Sequence, residues 1–136
     1  MAVYLANTGV LTVNAVDLST LVTSVTINRA FDELEITSLG DQGHRFTKGL
    51  ESSSVSIDFL NDSASSKTLQ TLQTNWGSNV TVTFKQVDAV VSATNPLYTM
   101  TCLVNNITPV NGDVASLSTQ SVTWNVSGTI AVTTAP

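Results

Sequence analysis

The chain has 136 residues, of which 42% are hydrophobic, 6% aromatic and only 11% charged, enough to close one core and too few for two ordinary domains, so a single domain over 1–136 is expected. Ten Asp and Glu against five Lys and Arg leave a net charge of −5, which argues against binding nucleic acid through a phosphate-neutralising basic patch, a mode that needs several cations on one face. The lone cysteine, Cys102, excludes an internal disulfide and every multi-cysteine zinc or iron–sulfur motif.

The opening Met1-Ala-Val-Tyr-Leu-Ala-Asn has no basic stretch followed by a long apolar run, so no signal peptide is expected. No apolar run approaches the roughly 18 residues of a membrane span, and a soluble chain made in a cytoplasm follows, with its thiol reduced. Val and Thr recur along the whole length, the composition of strands. Leu21, Thr23, Val25 and Ile27 alternate with Val22, Ser24, Thr26 and Asn28, which predicts a half-buried strand. Phe31 to Thr37 alternates acids with Leu34 and Ile36, a second strand or a charge-guarded edge. From Ser38 to Gly49 the periodicity stops, and three glycines and several basic residues predict a long inter-strand loop over 38–49.

Residues 50–60 return to a period of two, with Val55, Ile57 and Phe59 inward. Asn61-Asp62-Ser63 offers capping side chains before a helix over about 63–76. Leu69, Leu72 and Trp76 form one stripe there, expected to pin the helix on the sheet, and Gly77 ends it. Val80, Val82 and Phe84 predict the next strand. A turn at Ser92–Pro96 precedes another strand with Tyr98, Met100, Cys102 and Val104 on one face. Asn111-Gly112 is expected to supply the positive φ of a tight turn. Val122, Trp124 and Val126 lead into Ile130 and Val132, a long last strand with a bulge or bend at Gly128. The fold class is therefore mainly β: an antiparallel sandwich or barrel of six to eight strands with one flanking helix.

Chemistry is sparse. The one histidine, His44, lies in the glycine-flanked loop, and Cys102 sits on an apolar strand face, so neither builds a nucleophilic triad. Asp32, Glu33, Glu35 and Asp41 match no calcium-loop spacing and read as a charged edge. Gly40-Asp-Gln-Gly43 lacks the Gly-Lys-Ser/Thr ending of a phosphate loop. No catalytic residue, metal site or cofactor is expected, and the chain is read as a non-enzyme.

Several segments in a fixed order carry a resemblance. They are Asp17 to Ile27, Leu34-Glu-Ile-Thr-Ser-Leu-Gly-Asp41 running into Gly49-Leu50, Ser53 to Asp62, Thr94-Asn-Pro-Leu-Tyr98, and Gly112 to Gly128. Over most of its length the chain resembles the small major tail tube proteins of long-tailed bacteriophages. The resemblance implies a β-sandwich with one flanking helix, assembled with copies of itself into rings, usually of six, that stack into a virion tail tube inside the host cytoplasm. DNA passes through without specific binding, other tail or head-completion proteins meet the tube ends, and this chain does not enter a membrane. The long loop of such proteins reaches an adjacent subunit or ring, which makes Asp41, Gln42, His44, Arg45, Phe46 and Lys48 the expected contact residues. This chain is short, without an added outer domain, and its small β-domain is also close to those of tail terminators, tail-tip rings and head–tail connectors. A capsid decoration protein would be equally small and β-rich. A carbohydrate-binding sandwich would need exposed aromatic platforms, for which two Trp, two Tyr and four Phe leave few to spare.

Overall fold

The computed structural model describes residues 9–135; the opening segment read above for a leader lies outside them. Among the described residues, ten strands, one helix and a short 3-10 turn at Ser19–Leu21 follow in chain order. The strands are β1 (Val10–Val13), β2 (Val16–Asp17), β3 (Val22–Asn28), β4 (Phe31–Glu35), β5 (Phe46–Glu51) and β6 (Ser54–Leu60). After the helix α1 (Thr68–Thr74) come β7 (Asn79–Lys85), β8 (Leu97–Leu103), β9 (Thr119–Asn125) and β10 (Ala131–Thr133).

Alternation builds the core. In β6 the burial follows the side-chain period, with Val55, Ile57 and Phe59 buried and their neighbours half-exposed. Its partner β9 does the same with Val122 and Trp124. These residues belong to a three-stranded sheet of order β3-β6-β9, and share one buried cluster with Leu11, Val13, Val80, Val82, Met100 and Cys102 of a five-stranded sheet of order β10-β8-β7-β1-β2. Every strand pairing is antiparallel, so the result is a two-layer sandwich. Two large polar side chains of this interior are matched: Trp124 Nε1 donates to Asn106 O at 3.0 Å, and Gln120 donates to Asn61 Oδ1 at 2.9 Å while accepting from Thr108 N at 2.7 Å; Thr68 Oγ1, also buried, has no partner among the described residues. Burial pushes the Cys102 thiol up to about 11, which keeps it protonated and unreactive.

Four expectations are corrected by the tertiary structure. In β3, Val22 pairs with Phe59 and Ser24 with Asp58, so Thr23 is an extra residue on that strand. This bulge resets the alternation: Val22, Val25 and Ile27 pack against the core while Thr23 is exposed, and Leu21 belongs to the 3-10 turn.

The helix is shorter than 63–76. Asp62 Oδ1 accepts from Ala64 N at 2.9 Å and Ser66 sits at φ 61°, a turn that a right-handed helix cannot absorb, so the helix begins at Thr68. Its buried face is Thr68, Thr71 and Leu72, with Leu69 half-buried. Trp76 lies two residues beyond the last helical residue, outside the stripe, and is 61% exposed. Leu72 alone of the three expected packing residues is fully buried.

Asn111-Gly112 does not provide a positive φ; Ala115, at φ 64°, does, in a turn closed by Ser116 N donating to Asp113 O at 3.1 Å. The last strand is two strands in different sheets. Val126 N donates to Ser53 O beside β6, and Ser127 N donates to Thr101 O on β8, so the chain changes sheets there. Gly128, at φ 95°, takes the corner in a conformation that L side chains rarely adopt, and β10 then pairs with β8. Ile130 is buried on the way and Val132 is exposed.

Candidate functional site: a projecting hairpin arm

The expected loop over 38–49 is a strand from Phe46 onward. Phe46 pairs with Glu35, Thr47 with Leu34 and Lys48 with Glu33, and Phe31 pairs with Glu51. Strands β4 and β5 thus make a separate two-stranded sheet, and the register continues that of β3 with β6, where Asn28 pairs with Ser54. One long hairpin therefore runs from Val22 to Leu60, interrupted at Arg29–Ala30 and Ser52–Ser53. Between Phe31 and Glu33 two residues of β5, Gly49 and Leu50, stand opposite Asp32 alone. A Cβ at Gly49 would come within 2.9 Å of both Asp32 Cβ and Asp32 O, so this bulge needs a residue without a side chain.

All five residues of β4 are exposed, although successive side chains point to opposite faces. Among the described residues neither face is covered, and the hairpin stands off the sandwich as an arm. One face carries Leu34 and Ile36; the other carries Phe31, Glu33 and Glu35 with Phe46 and Lys48. Phe31, Leu34, Ile36, Leu39, Phe46 and Leu50 are all more than 45% exposed, an apolar density that soluble surfaces seldom leave in water without a partner.

The tip is held by its own polar contacts. Asp41 Oδ2 accepts from Ser38 N at 2.8 Å and from Ser38 Oγ at 3.1 Å, and lies 3.6 Å from Arg45 Nη1. His44 Nδ1 lies 2.6 Å from Glu35 Oε2, which also accepts from Thr37 Oγ1 at 2.9 Å. Bonding to His44 and then to Thr37 holds the Glu35 carboxyl below the usual glutamate range. The Lys48 ammonium lies 5.1 Å from the Phe31 ring centroid, and the rings of His44 and Phe46 are 6.3 Å apart. Arg45 N donates to Thr37 Oγ1 at 2.9 Å, so four of the six expected contact residues, Asp41, His44, Arg45 and Phe46, are linked; Lys48 lies apart against Phe31, and Gln42 is exposed at the tip.

Sequence reasoning missed the apolar half of this surface. Leu34 and Ile36 keep the period of a half-buried strand and Phe31 and Leu50 are ordinary apolar residues, so their exposure is visible only once β4 and β5 are known to form, among the described residues, a sheet of their own. A second group, Val110, Val114 and Leu117, lies almost fully exposed in the β8–β9 connection, at the other end of β6 from the arm. At the arm's base the inner side of β3 is only half covered, and a cavity of about 340 Å³ opens there between Val25, Ile27, Arg29, Phe84, Gln86 and Tyr98. Among the described residues no three His, Cys, Asp or Glu come together as metal ligands, and no helix is long and apolar enough to cross a membrane.

A scan against protein-family models returns no match, and a search of curated proteins finds none that is similar. Solved structures do share this architecture. A chain in the virion of a native gene transfer agent particle superposes with a TM-score of 0.70 over 96% of this chain and 99% of its own, at 11% identity. The likeness is one of fold. A second chain, in the tail of an empty gene transfer agent particle of C6 symmetry, gives a TM-score of 0.59 over 83% of this chain and 82% of its own, at 14% identity.

Proposed function

We propose that this chain is a structural subunit of a bacteriophage-type tail, and that its copies close into rings of six which stack into the tube that carries the genome. The observation that carries this reading is the likeness of fold over almost the whole of both chains to a component of a gene transfer agent virion. The arm gives the reading its physical content. Its exposed apolar side chains are a surface for a neighbouring copy to cover, and the same surface repeated on every copy propagates a ring or a stack. Other tail or head-completion proteins would meet the free ends. Six copies at net charge −5 carry about −30, a field that repels phosphate and lets DNA pass without sticking. Polar groups of the arm are already engaged within their own chain, Arg45 with Asp41, Glu35 with His44 and Thr37, and Lys48 with the Phe31 ring. The contact with a neighbour is therefore assigned mainly to apolar burial.

Electron microscopy of the purified protein tests the reading: rings or stacked tubes are expected. Leu34→Ser, Phe46→Ser and Leu50→Ser together should raise the concentration needed for assembly by at least about tenfold, the equivalent of ~1.4 kcal/mol per contact set. A chain that stays monomeric at high micromolar concentration overturns the assignment. Binding only to preformed heads points instead to a decoration protein. Sub-micromolar affinity for double-stranded DNA with a steep salt slope overturns the conduit.

A further inference from the structure

We propose that Glu51 sets the direction in which the arm leaves the sandwich, by tying the arm's last residue to the corner where the chain passes from β9 to β10. The arm joins the body through two stretches outside the ladders, Arg29–Ala30 and Ser52–Ser53. Ser52 N donates to Ala30 O at 2.7 Å, which keeps the two stretches together. That bond lies within the hairpin, so it cannot fix the hairpin's angle to anything else. Fixing the angle takes a contact outside the ribbon, and the Glu51 carboxylate makes one. Its Oε2 accepts from the backbone N–H of Ile130 at 3.0 Å and from Ser53 Oγ at 2.8 Å.

Both partners are anchored. Ser53 is 3% exposed, and its Oγ also accepts from Ala30 N at 3.4 Å. Ile130 is 5% exposed, a core residue just after the Gly128 corner, and its amide is a buried donor that needs an acceptor. A chain of contacts therefore runs from Ala30 through Ser53 and Glu51 to Ile130, crossing the interruption and ending in the opposite sheet's strand connection. Bonds to an ionised acceptor are the stronger kind. The Ile130 amide, then the Ser53 hydroxyl, and to a lesser degree Arg29 and Lys48, hold the Glu51 carboxyl below its usual range, so it is ionised at neutral pH. The inference concerns the isolated subunit and stands apart from the assembly reading. Its consequence for any partner is that the arm is presented at one angle, which lowers the ordering cost of contact.

Spin labels at Gln42→Cys on the arm and Thr81→Cys on β7 test this in dissociated subunits, since buried Cys102 stays unlabelled. The parent protein should give one narrow distance distribution. Glu51→Ala should widen it about twofold or more and speed exchange of the Ile130 amide by about tenfold, while amides of β6 stay protected. Glu51→Gln, which keeps the shape and a neutral acceptor, should fall between. Glu35→Ala, which removes an acceptor inside the arm only, should leave the width unchanged. An unchanged width in Glu51→Ala overturns the proposal. If Glu51→Ala does not fold, the width in Glu51→Gln decides in the same way, an unchanged value again overturning it.

Discussion

The pairs β3–β6 and β4–β5 are halves of a single hairpin in one register, yet the first lies against a core and the second stands in solvent. Backbone pairing is the same in both, so hydrogen bonding does not distinguish them. What differs is the layer behind: Val25, Ile27, Val55 and Ile57 meet the five-stranded sheet, whereas among the described residues nothing buries Leu34, Ile36 and Phe46. The body is stabilised by apolar area removed from water. An isolated two-stranded ribbon has little of that and is marginal on its own. The arm compensates with local polar bonds at its tip and with the Glu51 tie at its base. The apolar area that stabilises the fold and the apolar area left in water are thus placed in different halves of one supersecondary unit.

Core truncation is the strongest way to sharpen this contrast. Trp124→Ala removes the largest fully buried side chain and leaves Asn106 O without its donor, so denaturant titration should show a loss of ~3–5 kcal/mol. A loss below ~1 kcal/mol would show that the core does not carry the fold in the way the burial implies. Next comes Gly49→Ala. Its Cβ would collide with Asp32, and a cost of ~1–3 kcal/mol is expected to be confined to the arm, seen as faster exchange of β4 and β5 amides with β6 unaffected. A global shift in melting would mean that arm and body unfold together, and the comparison would fail.

Acid should act through three carboxyls, two of them on the arm and one on β2. The Glu51 carboxyl is held low by Ile130 and Ser53, that of Glu35 by His44 and Thr37, and that of Asp17 by the Ser19 hydroxyl and amide with a smaller pull from Lys67. A carboxyl whose folded pKa lies below its unfolded value contributes stability that is complete above the unfolded pKa and is lost as pH falls through the folded one. Stability should therefore decline as pH drops below the ordinary carboxylate range, and Glu35→Gln and Glu51→Gln should each flatten that decline. An acid limb that neither variant alters would show that these bonds are not maintained in solution. The smallest effect belongs to Trp76→Ala: with the indole 61% exposed and beyond the helix, a change within ~0.5 kcal/mol is expected. A loss near that of Trp124→Ala would restore the helix stripe and contradict the exposed position.

By itself the sequence determined the mainly β class, the strands β6 to β9 with their inward residues, and the presence of one helix. These are legible because burial on one face of a strand writes a period of two into neighbouring residues, and Val55, Ile57, Phe59, Val80, Val82, Met100, Cys102, Val122 and Trp124 are all buried as that period requires. It also marked most of the arm's polar residues, since glycines and charges crowd where apolar periodicity lapses. The tertiary structure alone decided the rest. The Thr23 bulge depends on a partner strand some 35 residues away. The sheet change at Gly128 depends on β8, and the Glu51–Ile130 bond joins residues 79 apart. Leu34 and Ile36 alternate as on a half-buried strand and end in solvent because, among the described residues, no layer packs on β4 and β5. Local pattern records what a side chain prefers; only the paired sheets determine whether anything is there to meet it.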